Sequence, residues 1–317
     1  MHREDEFVVR RYAHDDAAAW NAFVDASRNG TFLLRRDYME YHAERFEDAS
    51  LVVSAGGRLA ALFPANRSGS EIASHAGLTH GGLVLADDAT AESVGAIWDA
   101  IVLRLRRDAA RRVVYKTIPT IYHRLPTEMD RDVLARSGAR LVRREVLSAI
   151  SPSAEWCVSP SKRRSVNRAE RTPGVEIGVS HDWAAFWAVL RERLGERYGV
   201  TPVHSLAEIE MLAARFPSSI RLVTATVAGA VAAGTVLYES ANVVRTQYMA
   251  TNARARTLRL LDSVLGTAIR DARARGKWFD LGSSVGGDGT FNAGVALYKS
   301  RLGGHDVVHD VYALDFD

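Results

Sequence analysis

The residues best suited to chemistry in this sequence are basic side chains near the starts of predicted elements. Lys162, Arg163 and Arg164, followed by Arg168 and Arg171, form the densest basic stretch of the chain. Such a cluster binds the phosphate groups of a nucleic acid, and the same pattern also occurs on a solvated helix face. We predict that this stretch contacts phosphate, with a solvated helix face as the alternative.

Arginines also open a long predicted helix in the second half of the chain. Arg254 and Arg256 stand just before its apolar positions. The N-terminal end of a helix carries unpaired N–H groups and a partial positive charge, so it attracts anions. We predict that these two arginines bind a phosphate of the donor substrate.

Several common catalytic motifs are missing from the sequence. The single cysteine, Cys157, leaves no internal disulfide and no cysteine zinc cluster, and no predicted helix carries a His-x-x-x-His pair. No Gly-x-x-x-x-Gly-Lys-Ser/Thr phosphate loop is present, and residues 282–286 (GSSVG), which have the Gly-x-Ser-x-Gly spacing, do not open a predicted helix as a nucleophile elbow would. We therefore expect no metal and no cofactor.

The elements that must position these groups are related by an internal duplication. Residues 14–20 (HDDAAAW) correspond to residues 181–187 (HDWAAFW) at an offset of 167, and each segment follows a short strand. The same offset relates two sets of apolar positions with helical spacing. These are Val94, Ile97, Trp98, Ile101, Val102 and Leu105 in one half and Leu261, Val264, Leu265, Ala268, Ile269 and Ala272 in the other.

Each half is predicted to have the order strand, helix, hairpin, helix, strand, helix, strand. This order predicts the α/β fold class, in its mixed (α+β) form. The boundary is expected near residues 151–153, a short polar stretch that contains proline. The sequence thus predicts two tandem domains, 1–150 and 151–317. A polar substrate is expected in the cleft between them.

Function is expected where the two halves differ. The first half carries Asp87 and Asp88 where the second half has arginines, and acidic residues at a helix start repel phosphate. We therefore assign the donor to residues 151–317 and the acceptor to residues 1–150. Near the end of the chain, Lys299 occupies a position where the first half has Val133.

The duplicated order of elements resembles the FemAB family of tandem acyltransferases, which are built from two GNAT-like domains. The resemblance covers nearly the whole chain. Its most specific pieces are similar to the family's aspartate-glycine strand end and to its aromatic-lysine segment that closes on glycine. They are residues 279–284 (FDLGSS), 291–294 (FNAG) and 298–304 (YKSRLGG), with support from 78–82 (LTHGG) and 161–169 (SKRRSVNRA).

The resemblance implies an N-acyltransferase that forms an amide bond with the amine of a saccharide, a peptide or a small metabolite. The donor is aminoacyl-tRNA in the best-known members and an acyl thioester in related ones. By the same resemblance, Lys299 lies beside the reacting carbonyl. A cation at that place stabilises the negative charge that develops on the carbonyl oxygen.

Two other residues are candidate catalytic groups. Tyr248 is able to protonate a leaving group, and His80 is able to act as a base or to hydrogen-bond the acceptor, with a structural role as the alternative. Further polar residues are candidate substrate ligands. They are Lys116, Tyr122, His123, Tyr198, His204, Gln247, Ser283, Asn292 and Tyr298.

The choice of donor depends on residues 251–258, which contain no glycine. Acyl-CoA enzymes of the GNAT type usually bind pyrophosphate on the backbone amides of a glycine-rich loop. The missing glycines favour aminoacyl-tRNA, contacted by Lys162, Arg163, Arg164 and Arg168. An acyl-CoA-dependent acyltransferase is the first alternative, and a catalytically inactive tRNA-binding or scaffold protein is the second.

The composition predicts a protein of the cytoplasm. The 317 residues are 47% hydrophobic and 25% charged, with a net charge of +3, and only four of the 41 Lys and Arg residues are lysines. No apolar run approaches the roughly 18 residues of a membrane span, and the charged N-terminus does not resemble a signal peptide. A single cysteine suits a reducing compartment.

Overall fold

The chain folds into two compact units that both mix helices and sheets. The computed structural model describes residues 7–286 and 289–316, without the side chain of Tyr198. Unit 1 comprises Met1–Glu145 with Val308–Asp317, and unit 2 comprises Val146–Val307. Among the described helices, none is both long and apolar enough to cross a membrane. The predicted mixed α/β fold class is confirmed.

The described residues of unit 1 contain strands of two sheets and four α-helices. The strands are β1 (Val8–Arg11), β2 (Glu47–Asp48), β3 (Leu51–Ala55), β4 (Arg58–Phe63), β5 (Asn66–Ser68), β6 (Glu71–Ala73), β7 (Val84–Leu85), β8 (Arg112–Lys116) and the first part of β9 (Arg140–Ile150). The helices are α1 (Ala17–Ala26), α2 (Arg36–Met39), α3 (Ala91–Arg107) and α4 (Met129–Arg136). One sheet has the order β1-β3-β4-β7, and β8, β6, β5 and β2 follow one another in the other.

Helix α3 supplies much of the core of unit 1. Thr90 caps its N-terminus by accepting a hydrogen bond from the backbone N–H of Ser93. Its apolar stripe packs with residues of β3, β4 and β8 in one core. The predicted positions Val94, Ile97, Trp98, Ile101 and Leu105 are all buried, whereas Val102 is only partly buried.

Unit 2 is built around one mainly antiparallel sheet with helices packed on it. The strands are β10 (Val175–Ser180), β11 (Ile220–Val227), β12 (Ala230–Glu239), β13 (Val243–Thr251), β14 (Trp278–Ser283) and the first residues of β15 (His305–Asp315). The helices are α5 (Pro160–Val166), α6 (Trp183–Tyr198), α7 (Leu206–Arg215), α8 (Ala253–Leu258), α9 (Leu260–Ala274) and α10 (Ala293–Arg301). Strands β10 to β14 follow in order, and β14 pairs with the last part of β9.

Helix α9 has the role in unit 2 that α3 has in unit 1. Of its predicted apolar positions, Val264, Leu265, Ala268, Ile269 and Ala272 are buried, and Leu261 is partly buried. Both units therefore show the predicted order of strand, helix, hairpin, helix, strand, helix and strand, with added elements that include α7 and β13 in unit 2.

The units divide at a different place from the predicted boundary. Strand β9 runs from unit 1 into unit 2, so residues 151–153 follow the end of this strand. Strand β15 runs from unit 2 into unit 1, where Leu314 and Phe316 join the core. The assignment of 1–150 to the acceptor and 151–317 to the donor, with a cleft between the domains, stays a prediction.

Candidate functional site

Strands β13 and β14 separate part of the way along their length. They are paired in parallel from Val243 and Trp278 up to Arg245 and Asp280, where the pairing stops although both strands continue. In the antiparallel pairing of β12 with β13, Gln247 is an extra residue that has no partner, which is a β-bulge. Bulges re-aim side chains and often lie beside binding sites.

A cavity of about 610 Å³ lies where these strands separate, entirely within unit 2. Its polar lining includes four of the predicted site residues, Gln247, Ser283, Tyr298 and Lys299. Helices α6, α9 and α10 complete the walls. The apolar part of the lining is formed by Leu194, Met249, Ala250, Leu261, Leu281, Val285 and Val295.

Lys299 is buried in this cavity, with 3% of its surface exposed. Its ammonium group donates hydrogen bonds to the carbonyl oxygens of Gly282 (2.8 Å) and Ser283 (2.6 Å) at the end of β14. Burial lowers the pKa of Lys299 to about 8, although the charge of Asp280 opposes this shift. An ammonium has three N–H donors, so these two bonds leave one for a ligand.

Asp280 shapes the strand end that holds Lys299. It is fully buried and accepts hydrogen bonds from the Arg245 guanidinium (2.8 Å) and from the backbone N–H of Gly282 (2.6 Å). Gly282 has a φ of +75°, a left-handed conformation that favours glycine. The aspartate and the glycine of the FDLGSS segment therefore have a local structural reason, because together they turn the chain beneath the Lys299 ammonium.

Lys162, predicted to contact phosphate, lies in an internal ion pair instead of on a solvated surface. Its ammonium group contacts both carboxylate oxygens of Asp262, at 2.7 and 2.9 Å, and Asp262 has only 3% of its surface exposed. The hydroxyl of Tyr298 donates a hydrogen bond to the same carboxylate (2.8 Å). Burial and this carboxylate raise the pKa of Tyr298 well above its usual value. The neighbouring predicted ligands Arg163, Arg164 and Arg168 are exposed.

Residues 251–258, which contain no glycine, lead into the N-terminal end of α9. They end β13 and form the short helix α8, in which the side chain of Asn252 accepts a hydrogen bond from the N–H of Ala255. Arg259 then adopts a left-handed conformation, and α9 begins with Asp262 in its first turn. This carboxylate occupies the helix end where a phosphate would otherwise be favoured. The side chains of Arg254 and Arg256 are exposed on α8.

Other predicted residues of unit 2 lie outside the cavity lining. Tyr248 and His204 contact each other, with 2.6 Å between the phenol oxygen and Nδ1, and burial raises the pKa of Tyr248 to about 12. The Asn292 side chain caps α10 by accepting a hydrogen bond from the N–H of Val295 (3.0 Å). The side chain of Tyr198 lies outside the described residues.

The predicted residues of unit 1 are largely internal. His80, Tyr122 and His123 are buried; His80 contacts the hydroxyl of Thr31 (2.9 Å), and burial lowers the pKa of His123 to about 4. Lys116 donates to backbone carbonyl oxygens of residues 75, 76 and 78, and burial lowers its pKa to about 8. His80 and Lys116 thus make internal contacts in unit 1, and the catalytic and substrate-binding roles of the four residues stay predictions.

Sequence analysis missed three arginines of the cavity wall. Arg193 and Arg197 lie on α6 and Arg245 lies on β13. The first two are four residues apart and therefore on the same face of a helix, which was a readable signal. In a chain rich in arginine, this spacing alone did not separate them from other surface arginines.

A second cavity, of about 720 Å³, is formed by neighbouring residues of unit 2. It includes Ser284 and Ser300, which directly follow Ser283 and Lys299 of the first cavity. Its other lining residues are Val146, Ser148, Phe291, Ala296, Leu297, Gly304, His305 and Asp306. Asp306 is thus the one acidic side chain among the described residues of this lining.

Comparisons with known proteins found one matching domain family and several solved structures with a similar fold. Residues 161–299 match the family model described as an acetyltransferase (GNAT) domain. The solved structure of FemX is similar over 96% of this chain and 96% of its own, with a TM-score of 0.68 and 12% identity. L-PGS from Bacillus licheniformis is similar over 98% of this chain and 94% of its own, with a TM-score of 0.62 and 11% identity.

A third similar structure is the C-terminal domain of a putative lysylphosphatidylglycerol synthetase from Agrobacterium fabrum. It is similar over 94% of this chain and 91% of its own, with a TM-score of 0.61 and 15% identity. No curated protein matches the sequence. At these identities the three structures establish a shared fold, and the family match locates the acetyltransferase-type domain around the Lys299 cavity.

Proposed function

We propose that this chain, an acyltransferase with a GNAT domain over residues 161–299 and a FemAB-like tandem GNAT fold, transfers an aminoacyl group from aminoacyl-tRNA to an amine. The observation that carries the proposal is the placement of Lys299. Its buried ammonium lies where β13 and β14 separate, and two carbonyl oxygens hold it there. Such a cation is preorganised to meet a developing oxyanion.

In the proposed reaction, the acceptor nitrogen attacks the carbonyl carbon of the aminoacyl ester. A carbon–nitrogen bond forms, and the carbonyl oxygen becomes anionic and receives the third N–H of Lys299. The bond between that carbon and the ribose oxygen then breaks. One proton leaves the nitrogen and one is gained by the ribose oxygen, so the products are an amide and a free ribose hydroxyl.

The proposed mechanism does not use Tyr248 or His80. The hydroxyl of Tyr248 is bound to His204, and Tyr248 is not part of the Lys299 cavity lining. His80 is fully buried in unit 1, where its ring nitrogen Nε2 is hydrogen-bonded to the hydroxyl of Thr31. Neither side chain is among the described residues that line the cavity in which the ester is proposed to bind.

The start of α9 supports aminoacyl-tRNA over acyl-CoA as donor. A pyrophosphate bound on backbone amides needs a helix end that is free of acidic side chains. Here Asp262 occupies that end, and Asn252 already accepts an amide hydrogen bond of α8. The phosphates of the donor must then be bound by side chains, and exposed arginines are available at 163, 164, 168, 254 and 256.

The second cavity is a suitable entry for the acceptor. It is lined by Ser284, the residue that follows β14, and by the same helix α10 as the first cavity. Asp306 on its lining would attract the ammonium form of an amine. This placement would bring the acceptor nitrogen towards Lys299 from the α10 side.

The proposal is tested by supplying both classes of donor to the protein. A pool of charged tRNAs and, separately, a set of acyl-CoAs are incubated with a panel of amines, and products are detected by mass spectrometry. We expect amine-dependent loss of the aminoacyl ester together with formation of an amide.

Two other results would contradict this expectation. Loss of thioester alone would establish the acyl-CoA-dependent alternative, which the description of the matched domain as an acetyltransferase favours. Binding of tRNA without loss of either donor would establish an inactive tRNA-binding protein.

A further inference from the structure

The lining of the Lys299 cavity carries a concentration of positively charged side chains. Arg193 and Arg197 lie one turn apart on α6, and Arg245 contributes from β13. Together with Lys299 they make four basic residues, the described residues of this lining include no Asp or Glu, and the buried Asp280 beside the lining pairs with Arg245. Like charges around one cavity repel each other, and a bound anion relieves this repulsion.

The charged lining has an arginine of α8 as its neighbour. The carboxylate of Glu196 lies 3.6 Å from the Arg193 guanidinium and 3.7 Å from the Arg256 guanidinium. One carboxylate is therefore shared by two arginines, and a positive charge remains. Arg245 is held in place by its bond to the buried Asp280. Arg256 of α8 and Arg193 of the cavity lining are thus neighbours around one carboxylate.

The size of the cavity limits the distance between the anionic group of the donor and its reacting carbonyl. A compact cavity of about 610 Å³ would be roughly 10 Å across, which would place an anion at the arginines within that distance of a carbonyl at Lys299. In an aminoacyl nucleotide, one ribose carries both the ester and the 5′-phosphate, only a few bonds apart. In acyl-CoA, the whole pantetheine arm separates the thioester from the pyrophosphate.

We propose that Arg193, Arg197 and Arg245 form a phosphate subsite inside the Lys299 cavity and bind the 5′-phosphate of the acylated terminal nucleotide. The inference rests on the proposed function, because it names the part of the donor that this cavity recognises. The subsite fixes the terminal ribose on the arginine side, so that the ester carbonyl faces Lys299. The apolar lining then accommodates the aminoacyl side chain.

The test uses the full chain and short ligands in place of the whole donor. Binding of the trinucleotide CCA, of adenosine and of CoA is measured by isothermal titration calorimetry with the wild type and with an Arg193→Gln/Arg197→Gln variant. We expect CCA to bind the variant at least about tenfold more weakly, and adenosine, which lacks phosphate, to bind both proteins equally. Arg245 is left unchanged because it pairs with buried Asp280.

Arg191→Gln is the matched control. Arg191 is an exposed arginine of the same helix that lines a different cavity, so its loss should not change the affinity for CCA. Thermal melts of all three proteins check that the substitutions leave the fold intact.

Three results would overturn the inference. They are equal affinity of the wild type and the double variant for CCA, wild-type affinity for CCA no greater than for adenosine, and no detectable binding of CCA at millimolar concentration. If CoA, and not CCA, loses affinity in the double variant, the nucleotide assignment fails together with the tRNA donor. If turnover with aminoacyl-tRNA is normal in the double variant, the subsite fails and the proposed function stands.

Discussion

Lys299 keeps a charged group inside unit 2, where two carbonyl oxygens accept its hydrogen bonds. The carbonyl oxygen of the donor becomes negative only in the transition state, so a cation beside it lowers the reaction barrier more than it strengthens substrate binding. We expect Lys299→Ala to lower kcat by about 100- to 1000-fold and to change the Kd of the donor little. Single-turnover rates and donor titrations measure the two effects separately.

Two more variants sharpen this experiment. Lys299→Met fills more of the space that alanine would leave, so it should show the same loss of kcat with a smaller loss of stability. Lys277→Met is the control, because Lys277 is paired with Glu239 and does not line the cavity. Near-normal kcat in Lys299→Ala with a verified substrate would remove Lys299 from the mechanism.

The lowered pKa of Lys299 predicts a pH dependence of turnover. Because the ammonium is the active form, kcat should fall as the pH rises through about 8. Lys299→Arg should have a lower kcat, since a guanidinium places its charge differently, but it should lack this falling limb because arginine stays protonated. Initial rates measured from pH 6 to pH 10 test both statements. A kcat that rises with pH through about 8 would contradict the oxyanion role, because the active form of Lys299 would then be the neutral amine.

Unfolding does not produce the same pH profile. In the unfolded chain a lysine keeps its proton up to a pKa of about 10.4. Between about pH 8 and that value, the unfolded state binds more protons at Lys299 than the folded state does. The contribution of Lys299 to stability therefore rises with pH in this range, so a loss of kcat there has a chemical cause.

At the scale of elements, one carboxylate ties three helices together. Asp262 on α9 binds Lys162 on α5 and Tyr298 on α10. Lys162→Met removes the partner of a buried carboxylate and should lower the free energy of unfolding by about 2–3 kcal/mol. Urea unfolding measures the difference. Arg163→Met, at an exposed neighbouring position of α5, should change it by less than about 0.5 kcal/mol. Equal midpoints of the two variants would show that the ion pair does not stabilise unit 2.

The second cavity gives a prediction for the acceptor. Asp306→Asn removes the carboxylate of that lining, so the KM of a cationic amine should rise. An exposed charge pair of this kind contributes at most about 1 kcal/mol, which corresponds to about fivefold in KM. Steady-state kinetics with one cationic amine compare the KM of the wild type with that of Asp306→Asn. Glu176→Gln, a substitution at an exposed position, is the control. An unchanged KM in Asp306→Asn would exclude this cavity as the acceptor entry.

At the scale of the whole molecule, binding of tRNA should depend on salt through the exposed arginines. Arg163→Ala/Arg164→Ala should weaken binding and flatten the slope of log K against log salt by about 0.9 for each lost duplex contact. Lys162→Ala should leave the slope unchanged, since its ammonium is already bound by Asp262. Filter binding over a range of salt concentrations measures both slopes. The same slope in wild type and double variant would mean that these arginines only face solvent.

Much of the fold was predictable from the sequence because its signals are local or repeated. Helical spacing identified the buried faces of α3 and α9, and the offset of 167 residues related the two halves. Lys299 was found because it breaks the repeat, and the FDLGSS segment because it resembles the aspartate-glycine strand end of the FemAB family; the structure then showed that its aspartate and glycine form a turn. These patterns depend on the periodicity of a helix and on the conformational freedom of glycine, both of which a sequence records directly.

Only the tertiary structure decided which charged groups face one another. It paired Lys162 with Asp262, joined Tyr248 to His204, buried His80, and placed Arg193, Arg197 and Arg245 in the wall of the Lys299 cavity. It also carried residues 308–316 back into unit 1 through β15. A charged side chain contacts partners that are distant in the chain, and whether it is solvated or paired depends on how sheets and helices pack. Residue type and spacing therefore identify a basic residue, whereas its partner is set by contacts that form only on folding.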